Sequence, residues 1–214
     1  VLFIFMSRTF FMPKNMTQKT NTEKKPAFKK ELIEWGLILG VIATLYFTGL
    51  HVPVIGNLQR VLLWTGLMSP DTELNEKDIK SANYNVPLLT IEGEKTSLKE
   101  YKGKTIFLNF WATWCPPCIA EMPNIQALYE EVKSDSIQFV MVSLDEDHQK
   151  AKDFIDRKKY SFPVYFLNGR KPGAYNSTVV PTTYVISPDG NIVTERRGMA
   201  NYNTSGFKEF LRSF

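Results

Sequence analysis

The chain of 214 residues has very few of the side chains that build covalent or metal frameworks: two cysteines and two histidines. A framework of structural disulfides needs more cysteines, spread along the chain so that they close long loops. A structural zinc site needs about four ligands, and only His51 and His148 could join the cysteines. The sequence therefore argues against a disulfide-stabilised scaffold and predicts no bound metal.

Most of the chain also lacks a basic excess. Residues 68–214 carry 18 basic and 19 acidic side chains, a net charge of −1, whereas residues 1–31 carry seven basic and two acidic ones, a net charge of +5. Binding to nucleic acid requires a basic surface that neutralises phosphates. We therefore predict no nucleic-acid partner. The hydrophobic fraction of 43% and the charged fraction of 22% are typical of a globular protein.

One long apolar run is present, at residues 32–50, interrupted by Glu34 and two threonines. Nineteen residues of helix reach about 28 Å, close to the roughly 30 Å hydrocarbon core of a bilayer. Four lysines precede the run, and Arg60 is the first positive charge after it. The positive-inside rule then predicts a single-pass inner-membrane anchor with an exported, periplasmic C-terminal part. The alternatives are a buried core helix and a cleaved signal peptide, for which no clear cleavage site follows.

Four regions result. Residues 1–31 form a cytoplasmic basic arm, whose start is ambiguous because three methionines could initiate the chain (Met6, Met12 and Met16). Residues 32–50 are the anchor, and residues 51–81 combine an amphipathic juxtamembrane helix at 57–68 with a linker. Residues 82–214 form the main domain.

Strand and helix patterns alternate from residue 82 onward. Continuous apolar runs of strand length occur at 105–111 and 137–144, and further strands are predicted at 162–167, 182–187 and 191–196, with a hairpin at 87–94. Helical spacing is found at 118–132, 149–160 and 204–214. This order predicts an α/β domain with a mixed central β-sheet flanked by helices and an N-terminal β-hairpin.

The two cysteines, Cys115 and Cys118, enclose two prolines between a predicted buried strand and a predicted helix. The partial positive charge and free amides of a helix N-terminus help the first cysteine to ionise, so Cys115 is predicted to be the attacking thiolate. Cys118 follows one helical turn later and can attack the resulting mixed disulfide. Pro117 suits the first turn, where no amide donor is needed. These features favour redox chemistry over a structural pair.

The run from Phe107 to Cys118, FLNFWATWCPPC, resembles the active-site signature of the thioredoxin superfamily, in particular its membrane-anchored extracytoplasmic branch typified by TlpA and ResA. The run from Val180 to Tyr184, VPTTY, resembles the cis-proline loop of that family. The resemblance covers residues from about 82 to 214. It implies a thioredoxin-like fold in which Pro181 is cis and packs opposite the cysteines.

The resemblance also implies how substrates bind. A bent loop would expose backbone groups of Val180 to an extended substrate segment, next to Pro181. Trp114 and Pro116 would contact the partner, and Trp111 is predicted to pack in the core. The redox-active Cys115–Cys118 disulfide would replace any dissociable cofactor. Expected partners are exported cysteine-containing proteins, with apocytochrome c among the candidates, and a thiol-type electron donor in the membrane.

Two positions depart from ordinary thioredoxins, which carry a buried Asp where this chain has Asn109. An amide cannot act as a general base. Glu121 matches a Glu of ResA-like proteins, and helical spacing puts it on the same face as Cys118. We predict that Glu121 transfers a proton to or from Cys118; the alternative is that it caps or solvates the helix. His148 is predicted to be a solvated loop residue, and residues 168–178 to be either a partner-selecting loop or a plain connection.

The sequence thus predicts a membrane-tethered periplasmic thiol-disulfide oxidoreductase that reduces disulfides in exported proteins. Three alternatives remain open. Within the class, the protein could be a dedicated reductant for cytochrome c maturation. A thiol peroxidase is disfavoured because such sites use a lone activated cysteine. A redox-inert binding or chaperone module is disfavoured by the intact cysteine pair.

Overall fold

The computed structural model describes residues 28–48, Pro70 and residues 80–214. The chain divides into two units, Val1–Leu45 and Tyr46–Phe214. Helix α1, Phe28–Phe47, contains every described residue of the first unit and ends two residues beyond it. Its large apolar side chains are exposed, among them Trp35, Leu37 and Leu39, each more than 60% accessible. α1 thus carries large apolar side chains that its own unit leaves exposed.

The predicted membrane span, residues 32–50, overlaps α1 up to Phe47. Within the described ranges, no helix is both long enough and apolar enough to cross a membrane. Glu31 and Glu34 lie in the first two turns of α1. The amphipathic helix predicted at 57–68 lies outside the described residues, as does the linker except for Pro70 and its last two residues.

An eight-stranded mixed sheet organises the second unit. Its strands are β1 Lys80–Ser81, β2 Pro87–Thr90, β3 Lys95–Ser97, β4 Thr105–Trp111, β5 Ile137–Ser143, β6 Val164–Leu167, β7 Thr182–Ile186 and β8 Asn191–Arg197. They lie in the order β1-β8-β7-β4-β5-β6-β2-β3. β4, β5 and β6 are parallel neighbours, and the other pairs are antiparallel. The predicted hairpin is the β2–β3 pair.

Three helices follow β4, β5 and β8 respectively: α2 Pro116–Val132, α3 His148–Lys158 and α4 Ser205–Arg212. Each is preceded by an N-cap residue whose side chain accepts a hydrogen bond from a first-turn amide, namely Cys115, Asp147 and Thr204. Such caps satisfy amides that have no partner within the helix. Among the described residues, two short 3₁₀ turns, Leu98–Tyr101 and Gly173–Tyr175, complete the regular structure. Every strand and helix predicted beyond residue 82 is present within a few residues of its predicted bounds.

The central strand β4 divides the core because its side chains alternate between two faces. Phe107 and Trp111 belong to a cluster that includes the apolar faces of all three helices, whereas Ile106, Leu108 and Phe110 belong to a cluster with Tyr175 and Tyr184. All seven residues of β4 are buried. Asn109 lies between Phe107 and Trp111 on the helix-covered face and is therefore a polar group within the core. The C-terminal end of β4, at Trp111, lies four residues before Cys115.

Candidate active site

The two cysteines lie where β4 passes into α2. Cys115 is the N-cap residue of α2, with an extended backbone (φ −102°, ψ 101°), and the amide nitrogen of Cys118 lies 3.3 Å from its Sγ. A disulfide joins the two residues, whose Cα atoms are 5.3 Å apart. Cys118 is completely buried, whereas Cys115 keeps 4% of its surface accessible. Cys115 is therefore the member of the pair that an incoming group can reach.

The start of α2 also determines which amide faces Cys115. Pro116 and Pro117 occupy its first positions, where the absence of an N–H group does no harm. The first amide that can donate to the cap is then that of Cys118. Because a helix N-terminus carries a partial positive charge and donors directed outward, it stabilises an anion at the cap. In the reduced protein this arrangement favours a thiolate at Cys115.

A second loop meets the cysteines from the start of β7. The peptide bond between Val180 and Pro181 is cis, as expected from the resemblance. The carbonyl oxygen of Val180 lies 3.6 Å from Sγ of Cys115. Thr182 Oγ1 donates to the carbonyl oxygen of Val179 at 2.6 Å and also pairs with the hydroxyl of Ser177 at 2.9 Å. The structure thus brings the Val180–Pro181 loop to Cys115, across 65 positions of sequence.

Apolar surface surrounds this junction. Trp114 is 62% accessible and Val179 is 46% accessible. Pro116, two residues after Trp114, is half-buried. Exposed large apolar side chains next to a reactive group indicate a surface that another molecule covers. Trp111, by contrast, is fully buried and packs against Phe154 with ring centroids 5.8 Å apart, so its predicted core role is confirmed.

A buried carboxyl group lies behind the disulfide. Glu121 is completely buried on α2, three residues after Cys118. Its Oε1 accepts a hydrogen bond from Asn109 Nδ2 at 2.9 Å, and its Oε2 accepts one from the Ala200 amide at 3.2 Å. Desolvation raises the pKa of Glu121 to about 8, although these two hydrogen bonds and the charge of Arg196 oppose the rise. The side chain neither caps α2 nor contacts solvent.

Asn109 thus contacts Glu121, the predicted proton carrier that follows the cysteine pair in the sequence. It occupies the middle of β4, and its Nδ2 also donates to Thr183 Oγ1 at 2.8 Å. An Asn here can present N–H donors to an ionised Glu121, which an Asp could not do. The two departures from ordinary thioredoxins, Asn109 and Glu121, are therefore parts of one hydrogen-bonded unit.

The loop between β4 and α2 is held by a residue that the sequence reasoning missed. Asp145 accepts hydrogen bonds from the Thr113 amide at 3.0 Å, from Thr113 Oγ1 at 2.6 Å and from Ser143 Oγ at 2.8 Å. Asp145 is 5% accessible and follows β5, the parallel neighbour of β4. In the sequence Asp145 stands within the acidic run DED, which indicated only a solvated helix start. The signal that could have identified it is its position directly after a buried strand, where a carboxylate can accept hydrogen bonds from a neighbouring loop.

His148 is not the solvated loop residue that was predicted. It is the first residue of α3 and is partly buried, with its ring stacked on Phe166 at a centroid distance of 3.9 Å. The stacking arises because the start of α3 passes over β6. Within the described ranges, no group of three or more metal-ligating side chains occurs. His51 lies outside these ranges.

Comparisons with known proteins agree with this geometry. The chain is similar to Thiol-disulfide oxidoreductase ResA of Oceanobacillus iheyensis, with 34% identity over 81% of this chain and 84% of that protein. Thiol-disulfide oxidoreductase ResA of Halalkalibacterium halodurans is 37% identical over 60% of this chain and 74% of that protein. Among solved structures, StoA from Bacillus subtilis matches with a TM-score of 0.50 and 31% identity, over 62% of this chain and 95% of that one.

The fold and the cysteine pair define the class: this is a thioredoxin-like protein-disulfide oxidoreductase. Its second unit has the mixed sheet, the dithiol at a helix start and the cis-proline loop that the resemblance implied. The family model described as the AhpC/TSA family matches residues 70–195, more than half of the chain, and the chain belongs to this family.

Proposed function

We propose that this protein reduces disulfides in exported proteins by dithiol exchange and needs no dissociable cofactor. The Cys115 thiolate attacks one sulphur of a substrate disulfide and displaces the other as a thiolate, which takes up a proton. Cys118 then loses its proton and attacks Sγ of Cys115, which releases the second substrate thiol. Two electrons pass to the substrate, and the Cys115–Cys118 disulfide remains. The observation that carries this proposal is the unequal placement of the two sulphurs at the start of α2.

Glu121 is proposed to exchange the proton of Cys118. Helical spacing places the two side chains on one face of α2, one turn apart. A pKa of about 8 allows the Glu121 carboxyl to be either protonated or ionised near neutral pH, as proton transfer requires. Burial excludes water from this position, so a protein group would have to carry the proton. Asn109 supports the ionised form by donating to it.

The substrate is proposed to bind as an extended segment along the Val180–Pro181 loop. The Val180 carbonyl beside Cys115 is suited to accept a backbone hydrogen bond, as in strand addition. Exposed Trp114, with half-buried Pro116, would pack against apolar residues of the partner. Backbone pairing with an apolar contact favours unfolded or flexible cysteine-containing chains over small-molecule disulfides.

The protein is further proposed to act in the periplasm, attached to the inner membrane by residues 32–50. A thiol-type electron donor in that membrane would reduce the Cys115–Cys118 disulfide again after each reaction. Support comes from the apolar run, from the lysines before it and from the exposed apolar side chains of α1. Extraction of membranes with alkaline carbonate tests the attachment. Retention in the membrane pellet is expected, and a variant with Leu37 and Leu39 changed to Lys should be released. Complete release of the unaltered chain would refute the attachment.

The exported location has its own test. A membrane-impermeant maleimide should label Cys115 in intact, reduced cells, and Cys115→Ser should abolish the label. Labelling that requires lysis would place the domain on the cytoplasmic side and contradict the proposal.

A mixed-disulfide trap tests the reaction. Cys118→Ala leaves the attacking thiolate without a resolving partner, so it should accumulate reductant-sensitive adducts with exported proteins. Cys115→Ala is the matched control and should accumulate none. A reversed pattern would overturn the assigned order of attack. Adducts confined to apocytochrome c would identify a dedicated reductant for cytochrome c maturation. Normal partner processing in Cys115→Ala would favour a redox-inert binding module.

A further inference from the structure

Four buried polar side chains form a continuous hydrogen-bonded chain behind the disulfide. Glu121 accepts from Asn109 Nδ2, Asn109 Nδ2 also donates to Thr183 Oγ1, and the Tyr202 hydroxyl donates to the same Thr183 oxygen at 2.7 Å. None of the four is more than 1% accessible. They come from α2, β4, β7 and the segment before α4, so only the tertiary fold assembles them. Asn109 and Thr183 are direct partners across β4 and β7.

We propose that Thr183 and Tyr202 are positioning residues for Glu121, because their hydroxyl groups hold the Asn109 amide with its nitrogen toward the Glu121 carboxyl. The inference deepens the proposed function and rests on it, since it assumes that Glu121 exchanges a proton with Cys118. Neither Thr183 nor Tyr202 contacts the reacting sulphurs in this assignment; both act through Asn109.

The argument starts from the shape of an Asn side chain. Its oxygen and nitrogen ends have nearly the same size, so packing alone does not select between two orientations that differ by a half-turn. Hydrogen-bond partners must select one. In the observed orientation both hydrogens of Nδ2 are used, by Glu121 Oε1 and Thr183 Oγ1, while Asn109 Oδ1 is buried without a partner among the described residues.

The orientation matters for charge. With its nitrogen toward Glu121, the Asn109 amide donates to the ionised carboxylate and favours that form. With its oxygen toward Glu121, two acceptor atoms would face each other, and only a protonated Glu121 could form a hydrogen bond to the amide. Thr183 Oγ1 accepts hydrogen bonds from both the Tyr202 hydroxyl and Asn109 Nδ2. Because these two donors occupy both lone pairs of the oxygen, the hydrogen of Thr183 itself is directed away from Asn109. The pair of hydroxyls thereby supports the orientation that the ionised acid requires.

Other charged or titratable groups near Glu121 act independently of this chain. Arg196 of β8, which pairs with Thr183 in the sheet, favours the ionised carboxyl. Cys118 lies on the same face of α2. Removing the Thr183 hydroxyl leaves Arg196 and Cys118 in place, so a change in the behaviour of Glu121 would report the lost orientation of Asn109.

The test compares Thr183→Val, which keeps the side-chain shape but lacks the hydroxyl, with the conservative Thr183→Ser in the full-length chain. The reduced protein is mixed with excess dithiobis-nitrobenzoate in a stopped-flow instrument across a pH series. The first released thiolate reports attack by Cys115, and the second reports resolution by Cys118. In Thr183→Val the second phase should slow about three- to tenfold at neutral pH, as expected for the loss of one hydrogen bond between uncharged groups. Its pH midpoint should be displaced to higher pH, because the ionised Glu121 loses support.

The first phase should stay unchanged, and Thr183→Ser should retain the unaltered profile. Tyr202→Phe should shift the second phase in the same direction by a smaller factor, because Thr183 still accepts from Asn109. This variant also serves if Thr183→Val does not fold. Second-phase profiles that superimpose on that of the unaltered chain in a folded Thr183→Val or Tyr202→Phe protein would overturn the inference.

Glu121→Gln separates this inference from the function on which it rests. If Glu121→Gln leaves the pH profile of the second phase unchanged, the proton-carrying role of Glu121 fails. If Glu121→Gln alters the profile and the hydroxyl variants do not, only the positioning role of Thr183 and Tyr202 fails. In a Glu121→Gln background, Thr183→Val should cause no further displacement of the midpoint.

Discussion

Replacing Glu121 by Gln should change how the stability of the oxidised protein depends on pH. Gln has nearly the shape of Glu but never ionises, so it removes the cost of burying a charge and leaves the packing intact. The cost follows from the raised pKa of Glu121, about 8 against an ordinary value of 4.5. The difference of about 3.5 pH units corresponds to about 5 kcal/mol at roughly 1.36 kcal/mol per unit.

The sign follows from proton binding. Between the unfolded pKa near 4.5 and the folded pKa near 8, the folded state keeps a proton on Glu121 that the unfolded state has released. The favourable contribution is therefore complete below the unfolded pKa and declines as pH rises toward the folded pKa. Above that pH the folded state carries the full cost of a buried carboxylate. Over the whole titration the unaltered protein should lose about 5 kcal/mol of unfolding free energy relative to Glu121→Gln, of which about 4 kcal/mol falls between about pH 5 and about pH 9.

Urea unfolding followed by tryptophan fluorescence measures the effect, without reductant, so that the disulfide is intact in both proteins. The free energy of unfolding is determined from about pH 5 to about pH 9. The comparison uses the difference between the two curves, so all other titrating groups cancel. The Gln variant loses a hydrogen bond because its amide nitrogen cannot accept, which offsets its curve by a constant of about 1 kcal/mol. Parallel curves would refute the reasoning.

Three further predictions use stability or binding. Asp145→Asn should cost about 1–3 kcal/mol in urea unfolding, because the buried acceptor of the Thr113 hydrogen bonds loses its charge; an unchanged midpoint would contradict this. Phe107→Ala should cost about 3–5 kcal/mol by the same assay, since the ring is fully buried and stacked on Phe139. Trp114→Ala should change the free energy of unfolding by less than about 0.5 kcal/mol but raise the KM for protein disulfides, because the exposed ring is proposed to contact the substrate. Equal KM values in the two proteins would exclude Trp114 from the docking surface.

Much of the fold follows from local pattern. The run at 105–111 is apolar over strand length, and its neighbours show helical or alternating spacing, so the elements beyond residue 82 could be placed within a few residues. Their bounds were accessible because hydrophobic period depends on residues that are close in sequence. The order of the strands was not, since the pairing of β4 with β7 depends on contacts across more than 70 positions.

The candidate site divides in the same way. The position of Cys115 at the start of a helix could be predicted because a cap, two prolines and a helix start are adjacent in the chain. Glu121 could be placed near Cys118 by helical spacing. Asp145, Thr183 and Tyr202 could not be found, because each acquires its partner through the sheet or through the segment before α4.

The sequence by itself determined the cysteine pair and its position at the start of a helix, because capping is a local property of the backbone. Only the tertiary structure decided the state of Glu121. Its burial, its donor Asn109 and the amide of Ala200, 79 positions away, together fix the pKa of the carboxyl near 8. Desolvation and hydrogen bonding depend on what surrounds a group in space, and no local pattern encodes those surroundings.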